Sequence, residues 1–235
     1  MNKVYNGHRS VRLSPDMKIF ELLDSYPSLL SIFSRLDITF PFGDLSLREM
    51  CERDGFSVDM FMMLCYIHAD ITYRPDTDSL TRDMILPSVE YLRATHRYYL
   101  DYMLPHAGEH LDDILEHCDE LSAKMLHNFY EEYVECIKSH LDEEEQTIFR
   151  QIEDAATQDI SDMSRLVVPH SDIDDRTNDI ASLIIKCLPE QAPTTLRCAM
   201  LTHIYALRDD LLRHANVELF MLKPLVDKFL SNDSL

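Results

Sequence analysis

The chain has 235 residues and a formal charge of −20, with 42 Asp and Glu side chains against 22 Lys and Arg. A surface this acidic repels phosphate backbones and anionic headgroups, so neither nucleic acid nor a membrane is expected as a partner. Four glycines and no tryptophan leave few positive-φ positions for the tight turns of an all-β domain, which favours long helices. No apolar run approaches the ~20 residues of a membrane helix, and the six cysteines are scattered without a CxxC pair. We therefore expect an all-α, cytoplasmic protein with reduced thiols.

The first third of the chain is predicted to form a separate small helical module. Residues 1–80 carry 8 basic and 12 acidic side chains and the remaining residues carry 14 and 30, so the acidity is concentrated in the second part. The polar segment 72–79 has the composition of a linker. We therefore predict a small helical N-terminal module at 1–78 and a second domain at 79–235. The predicted helical stretches of the module are 17–36, 46–53 and 57–70.

Four long periodic segments follow, joined by links of only a few residues. Their apolar residues recur every three or four positions, which predicts helices that each bury one face. Four long helices with short links fold most simply as an antiparallel up-down-up-down four-helix bundle. The segments are about 81–117, 120–153, 160–188 and 194–230.

Each of these helices carries a histidine on its apolar stripe, and two of them carry a glutamate one turn later. Buried imidazoles and carboxylates are costly unless they are paired, and a bound metal ion removes that penalty. A histidine and a glutamate at positions i and i+4 share one helix face and can point at the same spot. A spacing of 44 residues separates the first two histidines and recurs between the other two. The six candidate metal ligands are His96, His140, Glu144, His170, His214 and Glu218.

Two equivalent ligand sets imply two metal ions. Imidazole with carboxylate is compatible with iron, and also with zinc or manganese. Two ferrous ions carry +4 against −2 from two glutamates, so such a centre can accept an anionic oxo or hydroxo bridge. The spacing itself leaves the identity of the metal open.

Three other histidines are alternative candidates on the same predicted helices. His106 and His110 form an i,i+4 pair beyond Pro105, which is expected to kink the first helix, and they are the main rivals to His96. The matched spacing favours His96. His203 shares the face of the fourth-helix ligand but lies three turns away, about 16 Å along the axis, so it can be buried without reaching the same metals.

Three acidic residues and one histidine are expected at the surface. His127 and Glu131 repeat the His-x-x-x-Glu pattern, but they lie about 140° around the helix from the second-helix ligand. Glu143 and Glu145 flank a candidate ligand and face away from the apolar stripe, so we expect them to be solvent-exposed.

The motifs at 140–149 (HLDEEEQTIF) and 214–218 (HANVE), with Pro224 six residues later, resemble those of the hemerythrin-like domain, specifically the Repair of Iron Centres (di-iron) proteins. The resemblance implies two iron ions held by four histidines and two bridging glutamates, which map onto the six candidate ligands. A hemerythrin proper has a second histidine one turn after the third-helix ligand. Asp174 stands there, and is expected to act as a weak ligand or as a hydrogen-bond acceptor.

The N-terminal module also resembles the small helical domain that precedes the bundle in that family, through Tyr26-Pro27, the segment 45–51 and Gly55. The family module normally has a Cys-Cys-Gly-Gly element, where this chain has Pro-Phe-Gly-Asp at 41–44. This departure argues against a thiol-dependent role and leaves a packing role or a role in a homodimer. Apolar surface for that role comes from Phe40, Phe42, Phe56 and Phe61.

The resemblance implies a protein of the nitrosative and oxidative stress response, which repairs iron–sulfur proteins by donating iron or reacts with NO or O₂. The alternative is an O₂ or redox sensor that signals through the N-terminal module, which the missing cysteine pair favours. Hydrolysis ranks lower, because no nucleophile motif and no adjacent His-Asp ligand pair occurs. A purely structural bundle without metal is the remaining alternative.

Overall fold

The structure, a computed structural model, describes residues 12–158, 171–186 and 191–230. Regular secondary structure in these ranges is entirely helical, which confirms the all-α class predicted from composition. None of the helices in these ranges is long and apolar enough to cross a membrane.

The first compact unit, Met1–Pro75, contains four short α-helices within its described residues, 12–75. Pro27 divides the first predicted stretch into two helices. Ser46 and Glu49 form a capping box that starts α3, and α3 ends at Gly55, whose φ of 80° suits a left-handed C-cap. The helices are α1 (Ile19–Ser25), α2 (Leu30–Arg35), α3 (Leu47–Asp54) and α4 (Val58–Ala69), with a 3₁₀ turn at Pro27–Leu29.

Phe33 and Phe61 belong to the core of this unit, whose other buried side chains are mainly aliphatic. The ring of Phe33 is buried and makes edge contacts with Phe42 and Phe61, at centroid distances of 5.4 and 5.7 Å. Phe56 packs obliquely on Phe61, and Phe40 remains 58% exposed. Most of these phenylalanines therefore stabilise the unit internally.

The cysteines of the described residues are free thiols, as expected. Cys51 and Cys65 are buried, and burial raises the pKa of Cys51 to about 12. Its thiol is therefore protonated and poorly reactive at neutral pH. Cys187 lies outside the described residues. The free thiols are those of Cys51, Cys65, Cys118, Cys136 and Cys198.

The second compact unit, Asp76–Leu235, consists of long helices. Asp119 is the N-cap of the helix Glu120–Glu143, because its side chain accepts hydrogen bonds from the amides of Leu121 and Ser122. The predicted third helix is described over residues 171–186 alone. The helices are α5 (Ile85–Tyr98), α6 (Leu104–Leu115), α7 (Glu120–Glu143), α8 (Arg150–Gln158), α9 (Ser171–Lys186), α10 (Thr194–Val217) and α11 (Lys223–Phe229).

Three π-turns join pairs of these helices into continuous rods. In a π-turn, an amide donates to the carbonyl five residues back, as that of Leu104 does to Tyr99. Pro105 and Pro224 follow two of the turns. Because proline lacks an N–H and its ring clashes with a carbonyl four residues back, the wider turn accommodates it within the rod. The π-turns are Tyr99–Met103 between α5 and α6, Glu144–Phe149 between α7 and α8, and Glu218–Leu222 between α10 and α11.

The rods of the second unit pack around a shared apolar core. Helix α10 packs against α5, α6 and α9, while α7 packs against α6 and α9, and α5 contacts α8. These contacts bring the helices that carry the candidate ligands together. Fully or nearly fully buried residues of this core include Tyr99, Leu111, Tyr133, Ile137, Ile184, Ile204 and Leu207.

Candidate metal centre

Three buried side chains from different helices converge in the second unit. His96 lies near the end of α5, Glu144 opens the π-turn after α7, and His214 lies near the end of α10. One potential ligand atom of each lies within 4.8 Å of those of the other two. The Nε2 atoms of His96 and His214 are 3.1 and 3.5 Å from Glu144 Oε2. Among the described residues, this group could hold a metal ion.

Two further candidate ligands adjoin this group. His140 lies one turn before Glu144, and its Nε2 is 2.9 Å from Glu144 Oε1. Glu144 therefore presents one oxygen to His140 and the other to His96 and His214. Glu218 lies one turn after His214, with its Oε1 3.3 Å from His214 Nε2 and its side chain 16% exposed.

Helix geometry explains how each histidine meets its glutamate. Helix α7 is regular up to Glu144, and α10 is regular up to Glu218. The histidine four residues before each glutamate therefore lies on the same helix face as that glutamate. Both glutamates are the first residues of π-turns. Such turns are frequent at functional sites, because the extra residue changes the direction in which the following side chains point.

The charges of the cluster are mutually stabilising. Burial raises the pKa of Glu144, but the close contacts with the imidazoles of His140, His214 and His96 together outweigh it and hold the pKa well below its usual range. Burial lowers the pKa of His214, whereas Glu218 and Glu144 raise it, and the net shift is upward. A buried carboxylate thus recruits positive charge, and a metal cation can replace the proton in that role.

Glu145 corrects a prediction made from the sequence. It was expected to be solvent-exposed, yet its side chain is only 32% exposed and its Oε1 is 2.8 Å from His96 Nδ1. Because a carboxylate can only accept a hydrogen bond, Nδ1 of His96 is the donor in this contact, and Nε2 is the nitrogen directed at Glu144 and left for a metal ion. The π-turn that begins at Glu144 is the reason, since it lets two consecutive glutamates reach the same histidine.

Arg93 and Glu153 extend this network and were not singled out from the sequence. Arg93 Nε donates to Glu145 Oε2 at 2.9 Å, and its other nitrogens form two hydrogen bonds to the Glu153 carboxylate. The guanidinium also lies 5.8 Å from the ring of Phe149. The available signal was that Arg93 precedes His96 by three residues, which places both on one helix face.

Aromatic rings enclose the cluster on two sides. Phe149 stacks on His96 with ring centroids 5.3 Å apart, and Tyr99 presents an edge contact to His214 at 5.9 Å. Both aromatic side chains are buried. They restrict the orientation of the two imidazoles and lower the local polarity.

The structure does not describe one of the six candidate ligands. His170 lies outside the described residues, and so does the side chain of Asp174. The structure places the other five candidates in one cluster connected by nitrogen–oxygen contacts of 2.9–3.5 Å. Those five are His96, His140, Glu144, His214 and Glu218.

The alternatives to His96 have other surroundings. His106 and His110 lie on α6 and face His203 of α10, at ring centroid distances of 6.4 and 5.6 Å. His127 and Glu131 are exposed on α7, as is Glu143. Among His96, His106 and His110, the candidates on the first predicted bundle helix, His96 is the one that contacts Glu144.

Fold and cluster together define a class: an all-helical protein with a buried histidine–carboxylate group able to hold a metal ion. A comparison with protein-family models gave no match, and neither did a comparison with curated proteins. The functional assignment therefore depends on the residues and on their geometry.

Proposed function

We propose that the second unit is a hemerythrin-like, antiparallel up-down-up-down four-helix bundle that holds two iron ions. The observation that carries the proposal is the convergence of His96, His140 and His214 on the single carboxylate of Glu144. The continuous rods formed through the π-turns, and the packing of α9 against α7 and α10, support the bundle arrangement.

The donor set fits a pair of first-row cations. Imidazole nitrogens and carboxylate oxygens are ligands that iron accepts. Glu144 has histidines on both of its oxygens, which suits a carboxylate that bridges two ions, and Glu218 is placed beside His214 for the same role. His170 completes the proposed set of six, by the equivalence of the two 44-residue spacings.

Bound iron would supply reversible redox chemistry and open coordination positions for a diatomic ligand such as O₂ or NO. The chain itself determines access and orientation. Glu145 holds the proton of His96 on Nδ1, and Phe149 and Tyr99 shield the imidazoles from bulk water. A buried centre of this kind admits small uncharged molecules more readily than ions or large substrates.

We propose that the protein serves the nitrosative and oxidative stress response, by reacting with NO or O₂ or by donating iron to damaged iron–sulfur proteins. In the donation branch the iron is cargo, and the more exposed Glu218 marks the side of the cluster from which it can leave. A signalling role through the N-terminal module remains the alternative reading of the same centre.

Metal analysis combined with Mössbauer spectroscopy of anaerobically purified protein tests the centre. The expected result is two iron ions per chain, with markedly lower content in His140→Ala and Glu218→Ala, whose remaining partners stay buried. Protein that carries no iron, or equal iron in wild type and both variants, would overturn the proposal.

Activity is tested separately with an inactivated apo iron–sulfur enzyme and with NO. Loaded wild-type protein is expected to reactivate the enzyme or to consume NO, and the His140→Ala variant to do neither. If iron is bound but neither reaction occurs, the stress-repair role is wrong while the di-iron centre stands.

A further inference from the structure

A second group of histidines lies on the same rods as the buried cluster. His106 and His110 lie one turn apart on α6, and His203 lies opposite them on α10, with which α6 packs. His106 follows His96 by ten residues, about 15 Å along the rod. The group is therefore a separate location, and the proposed di-iron centre leaves it without a function.

The spacing of the rings is close to that of a three-histidine metal site. A zinc–nitrogen bond of about 2.0–2.1 Å puts the centre of a ligating imidazole about 3 Å from the metal, so two ligating rings have centres about 5–6 Å apart. The ring of His203 lies 5.6 Å from that of His110 and 6.4 Å from that of His106. His106 and His110, at i and i+4, have Cβ atoms about 5–6 Å apart on one helix face. Binding one ion requires these side chains to rotate, because their ring nitrogens do not yet all lie within 4.8 Å of one another.

Two of the rings already have the hydrogen bonds that prepare an imidazole for a metal. His203 Nε2 donates to the Met103 carbonyl at 2.8 Å, which leaves Nδ1 with the lone pair. His106 Nδ1 is 2.9 Å from Glu109 Oε2, so Nε2 is the nitrogen left for a metal ion. Metal-ligating histidines characteristically donate their other N–H to a carboxylate or a backbone carbonyl.

The protonation and access of the group also suit a cation. Burial lowers the pKa of His203, the Met103 carbonyl opposes this, and neighbouring His110 and His106 lower it further, so the ring is neutral at pH 7. The side chain of His106 is 42% exposed, which gives an ion a route from solvent. The net charge of −20 concentrates divalent cations near the surface.

We propose that His106, His110 and His203 form a second metal site, for a divalent cation that prefers imidazole, such as Zn²⁺. Three protein nitrogens leave a fourth position of a tetrahedral ion open to water. The site is independent of the buried centre in both position and ligands.

Equilibrium dialysis of the full-length, iron-loaded protein against Zn²⁺ tests this assignment. Wild type is expected to bind one zinc ion per chain at this site. Each of the variants His106→Ala, His110→Ala and His203→Ala is expected to bind that ion at least about tenfold more weakly. Loss of a hydrogen-bond partner of a ligand already costs 10–100-fold in affinity, so loss of a ligand costs no less. The matched control is His127→Ala, which removes an exposed histidine of α7 and should leave zinc binding unchanged.

Two further measurements keep the result interpretable. Far-ultraviolet circular dichroism of each variant checks folding, and His106→Ala and His110→Ala alter partly exposed positions if His203→Ala proves unstable. The Glu144→Ala variant, which disables the buried centre, should keep the zinc site. Zinc affinity that is unchanged in any folded histidine variant of the three, or that disappears in a Glu144→Ala variant shown to be folded, would overturn the assignment.

Discussion

Two histidine groups on the same rods differ in burial and in the charges around them. His96 and His214 are almost fully buried and meet the carboxylate of Glu144. His106 and His203 lie about 15 Å further along the rods, are partly exposed, and direct one nitrogen each to Glu109 or to a backbone carbonyl.

The difference in burial determines whether the residues of each proposed metal site also contribute to folding stability. A buried charged cluster loses its water partners, so each member depends on the others for stability as well as for binding. A partly exposed cluster keeps some of its water when it is empty, so its more exposed residues can change with little effect on folding. Stability and metal binding should therefore be linked at the first group and independent at the second.

The largest expected effect is at Glu144. Replacing Glu144 with Ala removes the carboxylate that three imidazoles share, and breaking a buried ionic cluster from one side costs about 3–5 kcal/mol. We expect the free energy of unfolding to fall by about that amount and bound metal to be largely lost. Chemical denaturation and elemental analysis measure the two quantities.

The neighbouring residue supplies the control for this change. Glu143→Ala removes an exposed carboxylate from the preceding position of the same helix. Its unfolding free energy should stay within about 0.5 kcal/mol of wild type. Similar losses in both variants would show that helix charge, and not the cluster, is responsible.

Removal of metal from wild-type protein should have the next largest effect. A ligand present at 100 times its dissociation constant stabilises the folded state by about 2.7 kcal/mol. For a unit of this size, removal corresponds to a fall in Tm of about 5–10 °C. Thermal denaturation before and after chelation measures it, and an identical fall in Glu144→Ala would contradict a centre built on Glu144.

A smaller effect is expected at Glu145, which contacts His96 and Arg93. Its position suits it to orient the imidazole of His96 rather than to bind a metal ion itself. Glu145→Ala should weaken metal affinity about 10–100-fold, as is typical for a hydrogen-bond partner of a ligating histidine. Glu145→Gln should recover part of the loss, because its amide oxygen can still accept the Nδ1 proton of His96. Competition with a chelator measures the affinities; equal values in the Ala and Gln variants would indicate a role in packing alone.

Helical periodicity and residue spacing predicted those features that depend on positions within a single helix. The all-α class follows from composition and from apolar stripes. The pairing of His140 with Glu144, and of His214 with Glu218, follows from a separation of four residues on one helix. The preference for His96 over His106 used a repeat of 44 residues, and the structure places His96 against Glu144.

What the sequence did not reveal depends on contacts between helices. The π-turn after α7 has no proline or other local marker, so the inward direction of Glu145 could not be read from a regular period. Its bond to Arg93 joins residues 52 positions apart, and depends on how α5 and α7 are aligned. The π-turn before Pro105 was likewise not predicted, although the proline was singled out as a break in the regular helix.

The smallest expected effect distinguishes the exposed histidine group from the buried one. Without added metal, His106→Ala removes a partly exposed ion pair with Glu109 and an edge contact with Tyr102, whose ring centroid lies 4.5 Å away. Exposed pairs contribute about 0–1 kcal/mol, so the free energy of unfolding should change by less than about 1 kcal/mol. His96→Ala, measured in parallel by denaturant titration, should lose several times more, because its imidazole is buried between two glutamates. Comparable losses at the two positions would mean that the second group is also part of the folding core, and that the separation of binding from stability at that site is wrong.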